Sequence, residues 1–155
     1  MEIEAGAGDV MRVVSDPVQM AHLGEEIHEV RLLGGAQDAA VGVRFEGINR
    51  LGRRRWNTIC TITDRDETRF GYDVRAPKPL DLSISRWQYD IRPLGTDRCQ
   101  VTETNWIKAP VWFIPLAVTI TGTLDRPHAN LRHIDSTLQR LKTFVEKLEP
   151  SSSGD

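Results

Sequence analysis

Residues 126–148 read RPHANLRHIDSTLQRLKTFVEKL, and the fold depends on what this stretch packs against. Its apolar positions Leu131, Ile134, Leu138, Leu141, Val145 and Leu148 recur at spacings of 3, 4, 3, 4 and 3, which is one stripe of a long amphipathic helix. Asp125 stands where an N-cap belongs, and Pro127 falls in the first turn. A helix with a single apolar stripe must bury it against another layer, and that layer has to come from upstream.

Upstream the period changes from 3.6 to 2. Val101, Glu103, Asn105 and Ile107 alternate with Gln100, Thr102, Thr104 and Trp106; Trp87, Tyr89 and Ile91 alternate with Arg86, Gln88, Asp90 and Arg92. Phe70, Tyr72 and Val74 form a third such run, and Trp56, Thr58, Cys60 and Ile62 a fourth. Val41, Val43 and Phe45 form a fifth, and Glu26 to Leu33 a sixth that Gly34-Gly35 closes. Asp64 to Glu67, Ala76-Pro77-Lys78-Pro79 and Gly95-Thr96-Asp97 supply turn chemistry between runs. Long strands with short connections describe an antiparallel meander with one covered face and one wet face. At the front, Met1 to Ala5 is a strand candidate. Asp9 can cap a helix to about Ser15, stopped by Asp16-Pro17, and a second short helix runs from about Val18 to Leu23.

The 155 residues suit one domain over residues 1–148, with Glu149 to Asp155 as a frayed tail. A net charge of −2 supplies no global attraction to nucleic acid or anionic lipid. Met1 to Val10 carry no basic segment followed by an apolar run, so no secretory signal is expected. Ala109 to Thr121 is too short to span a bilayer and is cut by Pro115. In the cytoplasmic location this implies, Cys60 and Cys99 read as buried free thiols.

The arginines of 47–60, GINRLGRRRWNTIC, raise the question of a phosphate or nucleic-acid site. Asn49 and Gly52 read as turn residues. Alternation then sends Arg53 and Arg55 to one face and Arg54 to the other, so the cluster reads as a solvated hairpin turn and no nucleic-acid partner is expected. Catalytic motifs are few. His128 and His133 are five apart on the helix, about 140° around the axis, and cannot share a metal from one face. No CxxC, HExxH, GxSxG or phosphate-cradling glycine loop occurs. Glu103 remains, a carboxylate on the parity of Val101 and Ile107, with Tyr72 and Asn105 as candidate neighbours. Desolvation would raise its pKa, and an inward Arg86 would oppose that.

The order of elements resembles the helix-grip plan of START domains, birch-pollen-allergen proteins and polyketide cyclase/dehydrase-like proteins (the SRPBCC superfamily). Val13-Val14-Ser15-Asp16-Pro17, Gly47 to Trp56, Arg86-Trp87-Gln88-Tyr89 and Val101-Thr102-Glu103 resemble the bacterial polyketide-cyclase-like branch. The first strand is shorter than is usual there. Met20-Ala21-His22-Leu23 lacks the tryptophan common in that segment, which implies a reshaped pocket mouth.

The resemblance implies an α+β fold: a curved antiparallel sheet of about seven strands wrapped around the C-terminal helix, with two short helices between strands 1 and 2. It also implies an apolar cavity between sheet and helix. The expected walls are Phe45, Trp56, Thr58, Tyr72, Trp87, Tyr89, Glu103 and Asn105 from the strands and Leu131, Ile134 and Leu138 from the helix. Pro110-Val111-Trp112-Phe113-Ile114-Pro115-Leu116 is expected to be a stiff, irregular lid carrying Trp112 over the pocket, or else a homodimer contact. The expected function is cofactor-free binding, as carrier or sensor, of a small hydrophobic, aromatic or lipid-like molecule by a monomer or homodimer. One alternative is a polyketide-type aromatase/cyclase using Glu103 and Tyr72. A second is an interaction module with a filled core that docks a partner through Val111 to Val118.

Overall fold

The computed structural model describes residues 1–123 and 126–148. The chain runs β1 (Glu2–Ile3), α1 (Ala7–Val14), α2 (Pro17–Ala21), β2 (Ile27–Leu32), β3 (Arg44–Leu51), β4 (Arg54–Arg65), β5 (Arg69–Arg75), β6 (Ser83–Pro93) and β7 (Cys99–Ile107). A 3-10 turn (Val111–Phe113), α3 (Ile114–Thr121) and α4 (Arg126–Val145) follow. The seven strands form one antiparallel sheet in the order β1-β7-β6-β5-β4-β3-β2. β1 and β2 therefore lie on opposite edges, so α1 and α2 must cross from one edge to the other, and α1 packs on β5, β6 and α4. This is the helix-grip arrangement. The cap expected at Asp125 and the tail expected over 149–155 lie outside the described residues.

The core follows strand parity and the α4 stripe. Ile3, Val10, Val14, Phe45, Ile62, Phe70, Val101, Leu141 and Val145 are all essentially inaccessible. Burying each of the larger ones is worth about 1.5–3 kcal/mol. Cys60 and Cys99 are buried free thiols.

Several local expectations change. α1 begins at Ala7 behind Gly6, and Asp9 sits inside its first turn, 2.5 Å from Arg12. Asp16 does not merely stop that helix. Its carboxylate accepts from the backbone N–H groups of Val18 (3.0 Å) and Gln19 (3.2 Å), and so caps α2 with Pro17 in its first turn. β1 keeps only two residues, but its edge is held. The Met1 ammonium donates to Val101 O at 2.8 Å, Lys142 Nζ of α4 donates to Glu2 O (2.8 Å), and Glu146, just past the end of α4, accepts from Glu4 N–H through Oε1 (2.9 Å).

The expected irregular lid is a helix. Pro115 falls in the first turn of α3, where no intrahelical N–H is needed, and Gly122, at φ 77°, ends it by donating to Val118 O at 2.7 Å. In β2 a bulge between Ile27 and Glu29 puts Ile27 and Val30 on the same side, which simple alternation does not allow.

Candidate functional site

The sheet curves around α4 without being filled by it, leaving a cavity of ≈ 380 Å³. Phe45, Trp56, Thr58, Tyr72, Trp87, Tyr89 and Glu103 all line it, as their strand parity implies. A filled core is therefore not what this chain has.

Glu103 lies toward one end, opposite Tyr89, which in turn pairs with Phe70 across β5. The Tyr89 hydroxyl donates to Glu103 Oε1 at 2.7 Å. Oε2 is fully buried and has no hydrogen-bond partner, alone in this among the buried side-chain oxygens and nitrogens of the described residues. Burial pushes the Glu103 carboxyl up to about 8, against the opposing effect of the Tyr89 hydrogen bond. At neutral pH the group is mostly protonated, which removes most of the cost of an orphaned carboxylate oxygen. Burial also raises the Tyr72 and Tyr89 phenols well above the usual 10.0, with neighbouring acidic groups adding to it, so both stay O–H donors. The Tyr72 ring meets Phe45 edge-on at 5.3 Å, and its hydroxyl makes no hydrogen bond to another described residue.

Arg86 does not reach inward to neutralise Glu103. The β6–β7 register is regular, so Arg86 stays on the outer face. There it donates to Asp64 Oδ2 (2.5 Å) and Thr63 Oγ1 (3.0 Å) and lies 3.7 Å from Asp73.

A second polar station lies in the β3–β4 hairpin. Asn49, a turn residue by sequence, is buried within β3, on the parity of Phe45 and Gly47, and lines the cavity. Its Nδ2 donates to Gly47 O at 3.1 Å and Thr58 Oγ1 at 3.2 Å. Parity with Phe45 is the signal that could have found it, masked by asparagine's preference for turns.

The helix side differs most from expectation. α4 presents Asn130, His133 and Thr137 to the cavity. Leu138 is buried in the core, Ile134 packs against that core half-buried, and Leu131 is 63% exposed. The apolar members alone mark the stripe in the sequence. The inward line runs through 130, 133, 137 and 141, and Leu131 sits about 100° from Asn130 around the axis, at the helix flank. Asn105 is behind the wall rather than in it. Its Oδ1 accepts from Asn130 Nδ2 at 2.7 Å and its Nδ2 donates to Arg86 O at 3.2 Å, which fixes α4 against β7.

His133 also closes one side. Its Nε2 is 3.3 Å from Glu25 Oε2 and its Nδ1 is 3.7 Å from Glu26 Oε1, linking α4 to the loop before β2. No cluster of metal-ligating side chains occurs among the described residues.

At the lid, Trp112 is 68% exposed, and Phe113 is the buried aromatic that lines the cavity, with Ala117, Ile120 and Thr121 of α3. In a 3-10 turn neighbouring side chains diverge by about 120°, so only one of the two rings can face in.

The model of the family described as "Polyketide cyclase / dehydrase and lipid transport" matches residues 1–146. No curated protein matches the sequence. Among solved structures the chain is similar to the di-domain ARO/CYC StfQ from the steffimycin biosynthetic pathway, at 14% identity and a TM-score of 0.66 over 96% of this chain and 44% of that one. The chain thus spans less than half the length of StfQ. It is also similar to a protein from Thermus thermophilus, at 14% identity and a TM-score of 0.63 over 96% and 95% of the two chains. Norcoclaurine synthase from Thalictrum flavum, solved with a transition-state analogue, gives 16% identity and a TM-score of 0.62 over 95% and 91%. At these identities the likeness is one of fold.

Proposed function

The chain belongs to the family of polyketide cyclases, dehydrases and lipid-transport proteins, and from that premise we propose that it binds one small hydrophobic or aromatic molecule in its cavity, as a carrier or sensor. The observation that carries this reading is a ≈ 380 Å³ apolar space with a buried, unpaired carboxyl oxygen in its wall. That volume suits a compact multi-ring or short-chain molecule. Aromatic walls supply affinity. Neutral Glu103 and the Tyr72 hydroxyl supply hydrogen-bond donors for a ligand carbonyl or hydroxyl at one end, and Asn49 and Thr58 offer a second polar contact near the β3–β4 hairpin.

Native mass spectrometry of gently purified protein tests this. A co-purified neutral molecule, displaced by a neutral hydrophobic dye, is the expected result. Protein that is ligand-free and takes up no neutral apolar probe refutes it. Affinity for a carbonyl-bearing ligand should fall as pH rises through about 8, where Glu103 loses the proton it donates.

A second reading, an aromatase/cyclase, is favoured by the same carboxyl. A group held neutral beside two phenols can protonate a ligand carbonyl oxygen as an enol carbon of the same ligand attacks it, forming a ring C–C bond and a hydroxyl, while the enol O–H proton passes back to the Glu103 carboxylate and leaves a ketone. Loss of water would then follow. Release of water from a poly-β-ketone substrate, abolished by Glu103→Gln while binding persists, supports this reading. Binding without turnover excludes it.

A further inference from the structure

One end of the molecule carries an exposed apolar surface that the cavity does not use. Val111 is 80% and Trp112 68% exposed, and Ile114 and Leu116 continue the surface along the outer side of α3. No charged side chain occurs between Lys108 and Asp125. Against this surface lies the β3–β4 turn. Arg54 donates to Thr119 O, near the C-terminus of α3, and its side chain fills the space beside Gly122. The turn holds Arg50, Arg53, Arg54 and Arg55 and the apolar Leu51, all exposed.

The pairing inside this turn is unfavourable. Arg50 stands directly opposite Arg55 across the two strands, and like charges so placed destabilise a hairpin. Neither Arg53 nor Arg55 makes a hydrogen bond or ion pair with a described residue. Lys78 lies in the neighbouring loop, whose Pro77 and Leu80 border the cavity. Arg54 meets α3 from the inward side of the hairpin, while Arg50, Arg53 and Arg55 project from its tip and outer side, so four guanidinium groups and an uncharged apolar helix face stand at the same end of the molecule.

We propose that this surface docks the protein on an anionic lipid bilayer, with Trp112, Val111, Leu116 and Leu51 entering the interface and the arginines contacting the headgroups. Charge complementarity selects this occupant. A second copy meeting the same face would bring two arginine clusters together, and a nucleic acid would neutralise the arginines but leave the apolar side chains without a partner. A bilayer surface satisfies both. The chain's net charge of −2 does not oppose it, because only charges within a Debye length of about 8 Å of the lipid count strongly. The proposal does not depend on which molecule the cavity holds. Phe113, Ala117 and Ile120 face the cavity from the same segment that would touch the lipid, so an apolar ligand could pass between them with little exposure to water.

Co-sedimentation with vesicles tests it, using phosphatidylcholine alone and phosphatidylcholine mixed with phosphatidylglycerol. The expected result is binding to the mixed vesicles at least about tenfold stronger than to the neutral ones, weakening as salt is raised. Replacing Arg53, Arg54 and Arg55 together by serine should weaken it about a hundredfold, and by lysine only slightly, since about fivefold is expected per charge. Arg53→Ser and Arg55→Ser singly disturb no described hydrogen bond and should each cost about fivefold, which guards against a folding defect in the triple variant. Trp112→Ser should cost roughly tenfold. Equal binding to neutral and mixed vesicles, or none to either, overturns the proposal. So does a lysine variant as weak as the serine one, a comparable affinity for duplex DNA, or a dimer that Trp112→Ser splits.

Discussion

Replacing Glu103 by glutamine should turn a pH-dependent stability into a flat one. The folded protein holds the Glu103 proton with a pKa of about 8, against 4.5 for an exposed glutamate. Between those values folding takes up a proton, so stability falls as pH rises. Below 4.5 both states are protonated, above about 8 neither is, and the slope vanishes at both ends. Each pH unit within the window corresponds to about 1.4 kcal/mol, so from about pH 5 to about pH 8 the wild type should lose on the order of 4 kcal/mol through this group alone. Water entering the cavity at high pH would relieve part of it. In glutamine the amide oxygen keeps the Tyr89 hydrogen bond and the charge is never formed.

Urea denaturation of both proteins at several pH values isolates the effect, because every other titrating group cancels in the difference. Wild type and Glu103→Gln should be close in stability near pH 5 and separate progressively, with the variant the more stable above pH 8. At roughly 3 °C per kcal/mol for a domain of this size, the melting temperatures should differ by about 10 °C at the alkaline end. A difference that stays constant from pH 5 to pH 8.5, or a carboxyl carbon titration near 4.5, would refute the reasoning. The cyclase reading would lose its acid with it.

The two lid aromatics should behave oppositely in thermal denaturation and ligand retention. Phe113→Ala removes a buried cavity wall and should cost about 3 kcal/mol and most ligand occupancy, whereas Trp112→Ala should change stability by about 0.5 kcal/mol or less and leave occupancy intact. A larger loss at Trp112 would make it the lid after all. Gly47→Ala places a Cβ 2.9 Å from Thr58 Oγ1, displacing that hydroxyl from Asn49; a loss of about 1–2 kcal/mol is expected. The penalty should shrink in the Thr58→Ala background, and an additive double-mutant cycle would break the link. Burial pushes the Cys60 thiol up to about 12, so it should ignore a disulfide reagent at pH 8 until the protein unfolds. Rapid labelling of Cys60 in the native state would show that the cavity admits solvent to its inner wall.

Much of the architecture is legible in the sequence because it rests on local periodicity. Strand residues such as Phe45, Cys60 and Tyr89 alternate every second position, and Leu138, Leu141 and Val145 follow helical spacing, so the sheet, its inward face and the covering helix can be read before any contact is known. Strand parity likewise brings Glu103 to the cavity. What it cannot supply is anything set by a bulge, a cap or a neighbouring element. Asn49 looks like a turn residue because turns favour asparagine, yet the hairpin bends only at Gly52, one residue beyond the end of β3. Asp16 looks like a helix stop and is a helix start.

Trp112 and Phe113 are adjacent aromatics, and only the docking of α3 on β4 decides which one is buried. Leu131 belongs to the apolar stripe but lies at the flank of the helix, about 100° from the inward Asn130, and is exposed. Sequence alone therefore determined the antiparallel strands, the covering helix and the inward carboxylate, because alternation and helical pitch are properties of consecutive residues, and the resemblance to a known family supplied the helix-grip plan that joins them. The tertiary structure alone decided that Glu103 pairs with Tyr89 and not Arg86, that the helix offers Asn130 and His133 rather than leucines, and how much space remains. Those depend on register, curvature and side-chain volume summed over residues far apart in the chain.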